Sequence, residues 1–378
     1  MMSFQNDINL YKESWPAEFR LMLDMLAGRD DTTHREKFNP DSISNEKFLN
    51  LLTHHRTFSL VHLAQNKTAI NIPAQISEKI RQRTAEIQTK SLHQLNEMIR
   101  LSLFFRKNNI KVLFFKGPLL SRQLYDDPGY RESKDIDILI DFADIHHTDN
   151  LLHEAGYKGL FRHEKLKNPL LKKLFKDTGY HHREKDILIE VHWNLLGIKK
   201  FFSKSFVQVY ENRQHIEIGN HSIDTLGLND LFHYLCVHGT AHKWFRLFWL
   251  TDIFQFTRKY PLTVEGCSEE MKKYGNSASY TTALELCRIL FTMNCTSQIS
   301  KTDSKQEKLA AICLHEIISP EKHISRNIFK RIGRLFYFMK LNSGISFLTF
   351  LKYIYLFPAY IVCGLFLRFT APRNHTPA

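Results

Sequence analysis

Two aspartates two residues apart, inside an otherwise branched-apolar run, constrain this chain more than any other feature. In Asp135-Ile136-Asp137-Ile138-Leu139-Ile140, a period of two puts both acids on one face of a strand and Ile136, Ile138 and Ile140 on the other. Like charges held side by side are unfavourable unless a cation lies between them. Magnesium, a hard ion that takes carboxylate oxygens and substrate phosphates, fits that place. The competing reading is a strand end with two solvated acids, and the flanking segments decide between the two.

Upstream, Val112-Leu113-Phe114-Phe115 reads as a short buried strand. Lys116-Gly117-Pro118 follows directly, with a glycine that permits close backbone approach and a proline suited to a first helical turn. The helix carries Leu119, Leu120 and Leu124 and stops at Asp127-Pro128-Gly129. Free amides of its first turn can receive a phosphate, with Lys116 as a cationic supplement. Downstream, Asp186-Ile187-Leu188-Ile189-Glu190-Val191-His192-Trp193 alternates again. Ile187, Ile189, Val191 and Trp193 share one face, and Glu190 and His192 the other. Beside the first acidic strand, Glu190 would complete a three-carboxylate cluster able to hold two metals for phosphoryl transfer. For His192 a hydrogen-bonded place at the strand end is favoured over direct ligation.

Lys116-Gly117, Asp127-Pro128-Gly129-Tyr130-Arg131, Asp135-Ile136-Asp137, Glu190-Val191-His192-Trp193, and the later His238-Gly239 and Trp249-Leu250-Thr251-Asp252 together resemble an uncharacterised nucleotidyltransferase family of the polymerase-β-type nucleotidyltransferase superfamily. The resemblance covers roughly residues 100 to 260. It implies an α/β (α+β) fold, a polymerase-β-like mixed sheet with flanking helices, and a magnesium pair on Asp135 and Asp137 with Glu190 as third acid. It also implies nucleotide binding by Lys116, Gly117 and Arg131. The superfamily usually has Gly-Ser or Gly-Gly after its first strand where this chain has Gly117-Pro118, so Ser121 or Arg131 is expected to replace the missing contact. His192, His238, Trp249 and Asp252 are candidate substrate contacts. His238 and His242 at i, i+4 could also share a metal, but no H-E-x-x-H is present.

The chain has 378 residues and a formal net charge of +13. That excess favours anionic partners such as nucleotides, nucleic acid or an acidic membrane surface, without choosing among them. The basic stretch from residue 163 to 183 carries Phe175 and Tyr180 among its charges, so it supports nucleic-acid contact weakly. The six cysteines form no C-x-x-C pair, which argues against zinc and for buried, reduced thiols. Met1 to Leu21 is polar, so no export signal is expected and a cytoplasmic place is.

Four segments are expected. Residues 1–110 read as helical, with Ile80, Ile87, Leu92, Leu95, Met98, Leu101 and Phe105 at near-helical spacing. Residues 111–227 hold the nucleotidyltransferase core, and 228–320 a helical part beside its cleft. Residues 321–378 begin with a basic amphipathic pattern and end in an apolar run, Tyr353 to Leu367, too short to span a bilayer. That run suits a core helix first and peripheral membrane attachment second. The expected function is magnesium-dependent transfer of a nucleoside monophosphate from a nucleoside triphosphate to an acceptor hydroxyl. The alternative is a catalytically silent scaffold or membrane-surface binding protein of the same fold.

Overall fold

Acid and isoleucine alternate along residues 135–140, and this alternation decides which layer of the molecule covers each face of the sheet. The computed structural model describes residues 14–28, 43–65, 72–160, 175–197, 201–292 and 304–318. Helices α1 (Ala17–Ala27), α2 (Asn45–His55), α3 (Phe58–Gln65) and α4 (Ala74–Lys107) precede strand β1 (Val112–Phe115). Then come α5 (Gly117–Tyr125), β2 (Ile136–Ile140), α6 (Ile145–Glu154), β3 (Lys158–Gly159), β4 (Asp177–His182) and β5 (Ile187–His192). After α7 (Phe206–Glu211), β6 (Gln214–Ile218) and β7 (His221–Thr225) the chain is helical. Its helices there are α8 (Leu228–Ala241), α9 (Leu247–Lys259), α10 (Pro261–Lys273), α11 (Ser277–Phe291) and α12 (Ser304–Ile318). The basic amphipathic and apolar segments expected beyond residue 320, and the lysines at 165–173, lie outside the described residues.

The strands form one mixed sheet of order β3-β4-β5-β2-β1-β7-β6. β2 is central: antiparallel to β1, with Phe115 opposite Asp137, and parallel to β5, with Asp137 opposite Glu190. Ile136, Ile138, Ile140, Ile187, Ile189 and Val191 pack on one side against Leu95, Met98, Leu101 and Phe105 of α4 and Leu151 and Leu152 of α6. The opposite face, with Leu113, Phe115 and Leu139, joins a larger core built from α1–α3, the first half of α4, and α8–α12. The N-terminal and later helices therefore form one layer over the acid-bearing face.

Helix α4 bridges the two cores. Its 34 residues reach roughly 50 Å, and Ile76, Ile80 and Ile87 lie in the first core while Leu95 to Phe105 lie in the second. Pro73 precedes the helix, where a residue without an amide hydrogen costs nothing. Leu92 departs from expectation: it is 56% exposed, because Ser91, Gln94 and Leu95 occupy the buried stripe at that turn. Cys236, Cys267, Cys287 and Cys313 are free and buried, as their apolar neighbours imply. Among the described residues no helix is long and apolar enough to cross a membrane.

Trp244 and Gly239 set the end of α8. Lys243 and Trp244 both take positive φ, 54° and 55°, which folds the fully buried indole back onto the helix, where its Nε1 donates to Thr240 Oγ1 at 3.2 Å. A methyl at position 239 would lie 2.2–2.5 Å from the indole carbons. Gly239→Ala should therefore lower the unfolding free energy by about 1–3 kcal/mol. Denaturant unfolding of Gly239→Ala, Trp244→Phe and the double variant should show a double-variant loss smaller than the sum of the singles. Strict additivity would mean that the two side chains do not meet.

Candidate active site

Parallel pairing in register puts Asp137 of β2 and Glu190 of β5 side by side on the face that the helical layer covers. His192, two residues after Glu190, shares that face. It is fully buried, with Nε2 3.0 Å from Asp137 Oδ1 and 3.4 Å from Glu190 Oε2. Its Nδ1 lies 3.5 Å from Lys176 Nζ, and Lys176 is itself ion-paired with Asp177. An ionised carboxylate can only accept, so the contact requires hydrogen on Nε2, and His192 donates to Asp137 and orients it. Asp135 stands just before β2 on the same side, partly buried.

Lys116 comes from the opposite neighbour. Its Nζ donates to the same Asp137 Oδ1 at 3.0 Å and lies 5.1 Å from the centre of the Tyr234 ring. The backbone of Lys116 has φ 63° and ψ −158°, a region otherwise left to glycine and worth roughly 1–3 kcal/mol of strain. Gly117 follows at φ 50°. Two consecutive left-handed residues turn β1 sharply into α5 and aim the lysine back over the strand end.

The charges respond to this arrangement in opposite ways. Burial raises the Asp137 carboxyl, but Lys116 and then His192 outweigh it and hold Asp137 well below the usual carboxylate range. Burial lowers the Lys116 ammonium, and Asp137 reverses that and raises it well above the ordinary lysine value. Asp135 lacks such a partner. Burial first, then the charges of Asp137 and Glu190, push it up to about 6.

Asp137, Glu190 and His192 each offer a ligand atom within 4.8 Å of the others. Oxygen donors from two acids, with a third acid alongside, suit a hard divalent cation. Residues 41–292 match the family described as uncharacterised nucleotidyltransferase. The chain belongs to that family. The match begins well before the core motifs and takes in α2 to α4 as well as α8 to α11. No curated protein matches the chain. A crystal structure of an antigenic nucleotidyltransferase-like protein from Paracoccidioides brasiliensis shares 15% identity, over 63% of this chain and 99% of that one, at a TM-score of 0.36. A likeness that distant carries no argument about fold or chemistry.

Within this family member, Lys116, Asp135, Asp137, Glu190 and His192 converge, and other candidates are engaged elsewhere. Ser121 is fully buried, and its hydroxyl donates to the Asp127 carbonyl at 2.6 Å while accepting from the Tyr130 and Arg131 amides. Its work is to hold the Asp127–Arg131 turn, which leaves it no free hydrogen for a nucleotide. Arg131 Nε donates to Asp252 Oδ2 at 2.8 Å, and Tyr125 Oη donates to Asp252 Oδ1 at 3.1 Å. Arg131 and Asp252 are both buried, so this pair fastens the turn before β2 to helix α9. His238 and Trp249 are half-buried and form an aromatic wall with Tyr234, His242 and Phe245. The wall meets the acids' partner Lys116 through Tyr234, whose ring centre lies 5.1 Å from the lysine Nζ, and the charge of Lys116 reaches both His238 and His242. Sequence reasoning did not single out Lys176 or Tyr234. Lys176 was one lysine in a basic stretch, and Tyr234 one aromatic on a helix.

The Asp135 shift has a definite sign. Its folded pKa, about 6, exceeds its ordinary value of 3.8, so the folded state holds the proton more tightly than the unfolded chain does. Its contribution is fully favourable below about pH 4 and is lost as pH rises through 6. Without metal, Asp135→Asn should raise stability above pH 6 by on the order of 1 kcal/mol, allowing for solvent screening, and change little at pH 4. Thermal melts of both proteins in chelator across pH 4–8 check this. An equal gain at both ends would assign the effect to packing.

Proposed function

We propose that the protein is a magnesium-dependent nucleotidyltransferase that moves a nucleoside monophosphate from a nucleoside triphosphate to an acceptor hydroxyl. The observation that carries this reading is the meeting of Asp137, Glu190 and His192 within 4.8 Å on one sheet face, with Asp137 and Glu190 in register and the charges of both reaching Asp135. Family membership supports it independently. In this reading Asp135, Asp137 and Glu190 hold the metal, as their oxygen donors permit. A bound divalent cation would neutralise phosphate charge and make the acceptor hydroxyl a better nucleophile. The acceptor hydroxyl loses its proton to solvent as its oxygen forms a bond to the α-phosphorus, the bond from that phosphorus to the bridging oxygen breaks, and pyrophosphate departs with the electron pair.

The chain's own groups prepare that reaction. His192 fixes the orientation of Asp137, a supporting contact of the kind whose loss costs 10–100-fold in metal affinity or activity. Lys116 keeps Asp137 ionised and supplies positive charge beside the phosphates. The aromatic wall of His238 and Trp249 closes the acid-bearing face and offers flat surfaces to a base or acceptor.

One observation favours the silent-scaffold reading instead: Lys116 already pairs with the charge of Asp137, and His192 hydrogen-bonds the same oxygen, from within the chain. Magnesium with a non-hydrolysable triphosphate separates the readings. A transferase should gain thermal stability from the pair by mass action, and Asp137→Asn should lose that gain. Transfer to acceptors in a cell extract should fall by on the order of 10²–10³-fold in Asp137→Asn and about 10–100-fold in His192→Ala. Wild-type protein that neither responds to magnesium with nucleotide nor labels any product would make the silent scaffold the correct reading.

A further inference from the structure

Helix α2 ends against the start of α9, nearly two hundred residues away in the chain. His54 Nε2 lies 3.0 Å from the Phe245 carbonyl, and the fully buried His55 accepts from the Leu247 amide at Nδ1, 3.1 Å away. The residue that follows, Arg56, caps α2 in the left-handed region at φ 54°. Glycine takes that position without strain, so the chain gives up stability to keep a long cationic side chain there. Residues held in this way cluster at ligand sites.

The clamp sets Arg56 against Phe248 and joins the end of α2 to Phe245 and Leu247, the residues on either side of Arg246. The Phe248 ring centre lies 5.6 Å from the Arg56 guanidinium and 5.0 Å from that of Arg131. Arg131 has Asp252 as its ion-pair partner. Arg56 and Arg246 have no ion-pair partner among the described residues, and the acids whose fields reach them are Glu132, for both, and Asp135, for Arg56. Burial first, and then the neighbouring Arg246, push the Arg56 guanidinium down to about 10. Two half-buried guanidiniums on either side of one clamp, neither with an ion-pair partner among the described residues, leave positive charge there to be balanced. A doubly charged oxyanion would balance it, and the planar guanidinium fork matches phosphate oxygens bidentately.

We propose that Arg56, over the Phe248 ring, and Arg246, over the Phe245 ring, form a phosphate-binding site where α2 is clamped to the start of α9, for a substrate phosphate other than the one transferred. The phosphate belongs either to the terminal end of the donor triphosphate or to a phosphorylated acceptor. Only this choice of molecule rests on the nucleotidyltransferase reading; the anion site itself does not. The site also accounts for α2 lying inside the family match, although this helix touches none of the acids.

Sodium tripolyphosphate in chelator is the probe, because it needs neither metal nor catalysis. Calorimetric titration should show binding to the wild type, at least tenfold weaker binding to Arg56→Gln and to Arg246→Gln, and unimpaired binding to Asp137→Asn. Arg56→Gly should also lose affinity while its melting temperature holds or rises, since glycine suits the left-handed cap. In competition, displacement by a nucleoside triphosphate but not by its monophosphate would assign the site to the donor. Displacement by neither, with inorganic phosphate still effective, would assign it to the acceptor. Absent binding to the wild type, or equal binding to the Arg56→Gln/Arg246→Gln double variant, would overturn the site. Tripolyphosphate binding without any magnesium-and-nucleotide response would remove the transferase reading and keep the anion site. The reverse pattern would do the opposite.

Discussion

A buried carboxylate next to two others is a costly thing to fold, and the neutralisation of Asp137 is the interaction on which the rest of this structure depends. The parallel register of β2 and β5 places Glu190 beside it, and packing shields Asp137 and His192 from water. Charges shielded in this way interact more strongly than they would in water. Lys116 from one side and His192 from the other meet a single oxygen, Asp137 Oδ1, each at 3.0 Å. That contact explains why Lys116 tolerates a backbone conformation normally left to glycine. It also explains why Asp135, without a close cation, keeps its proton to about pH 6 while Asp137 does not.

A second ionic contact fixes the geometry around the first. Arg131, Asp252 and Tyr125 join the turn before β2 to α9, with Ser121 holding the turn's own amides. A buried ion pair adds little net stability over an apolar substitute, but breaking one partner away is costly because it strands a charge. Its effect is therefore one of register: the acids on β2 and the aromatic wall on α8 and α9 can meet in one arrangement. The same fastening holds Phe248 against Arg131 and, through the clamp on α2, brings Arg56 to the cleft.

Much of the frame was legible along the chain because it rests on local periodicity. The alternation in residues 135–140 and 187–193 assigned faces correctly, since side chains on a strand point to opposite sides whatever the strand pairs with. Gly117-Pro118 marked the turn into α5 because few residues accept that backbone. Helix α4 was visible from its stripe, apart from Leu92, whose place on the exposed side depends on which neighbours press against that turn. Ser121 and Arg131 read as phosphate ligands because sequence shows a donor's chemistry and not its partner; both turned out to serve internal partners.

The sequence by itself determined which acids share a strand face and where β1 turns into a helix at Gly117-Pro118, because strand period and turn stereochemistry are properties of neighbouring residues. Tertiary structure alone decided that Asp137 and Glu190 are in register, and that His192 donates to Asp137. It alone turned Arg131 toward Asp252 and fastened His54 and His55 to Phe245 and Leu247, far along the chain. Those are meetings between elements far apart in sequence. Their geometry follows from how sheet and helical layers pack, and no local pattern encodes it.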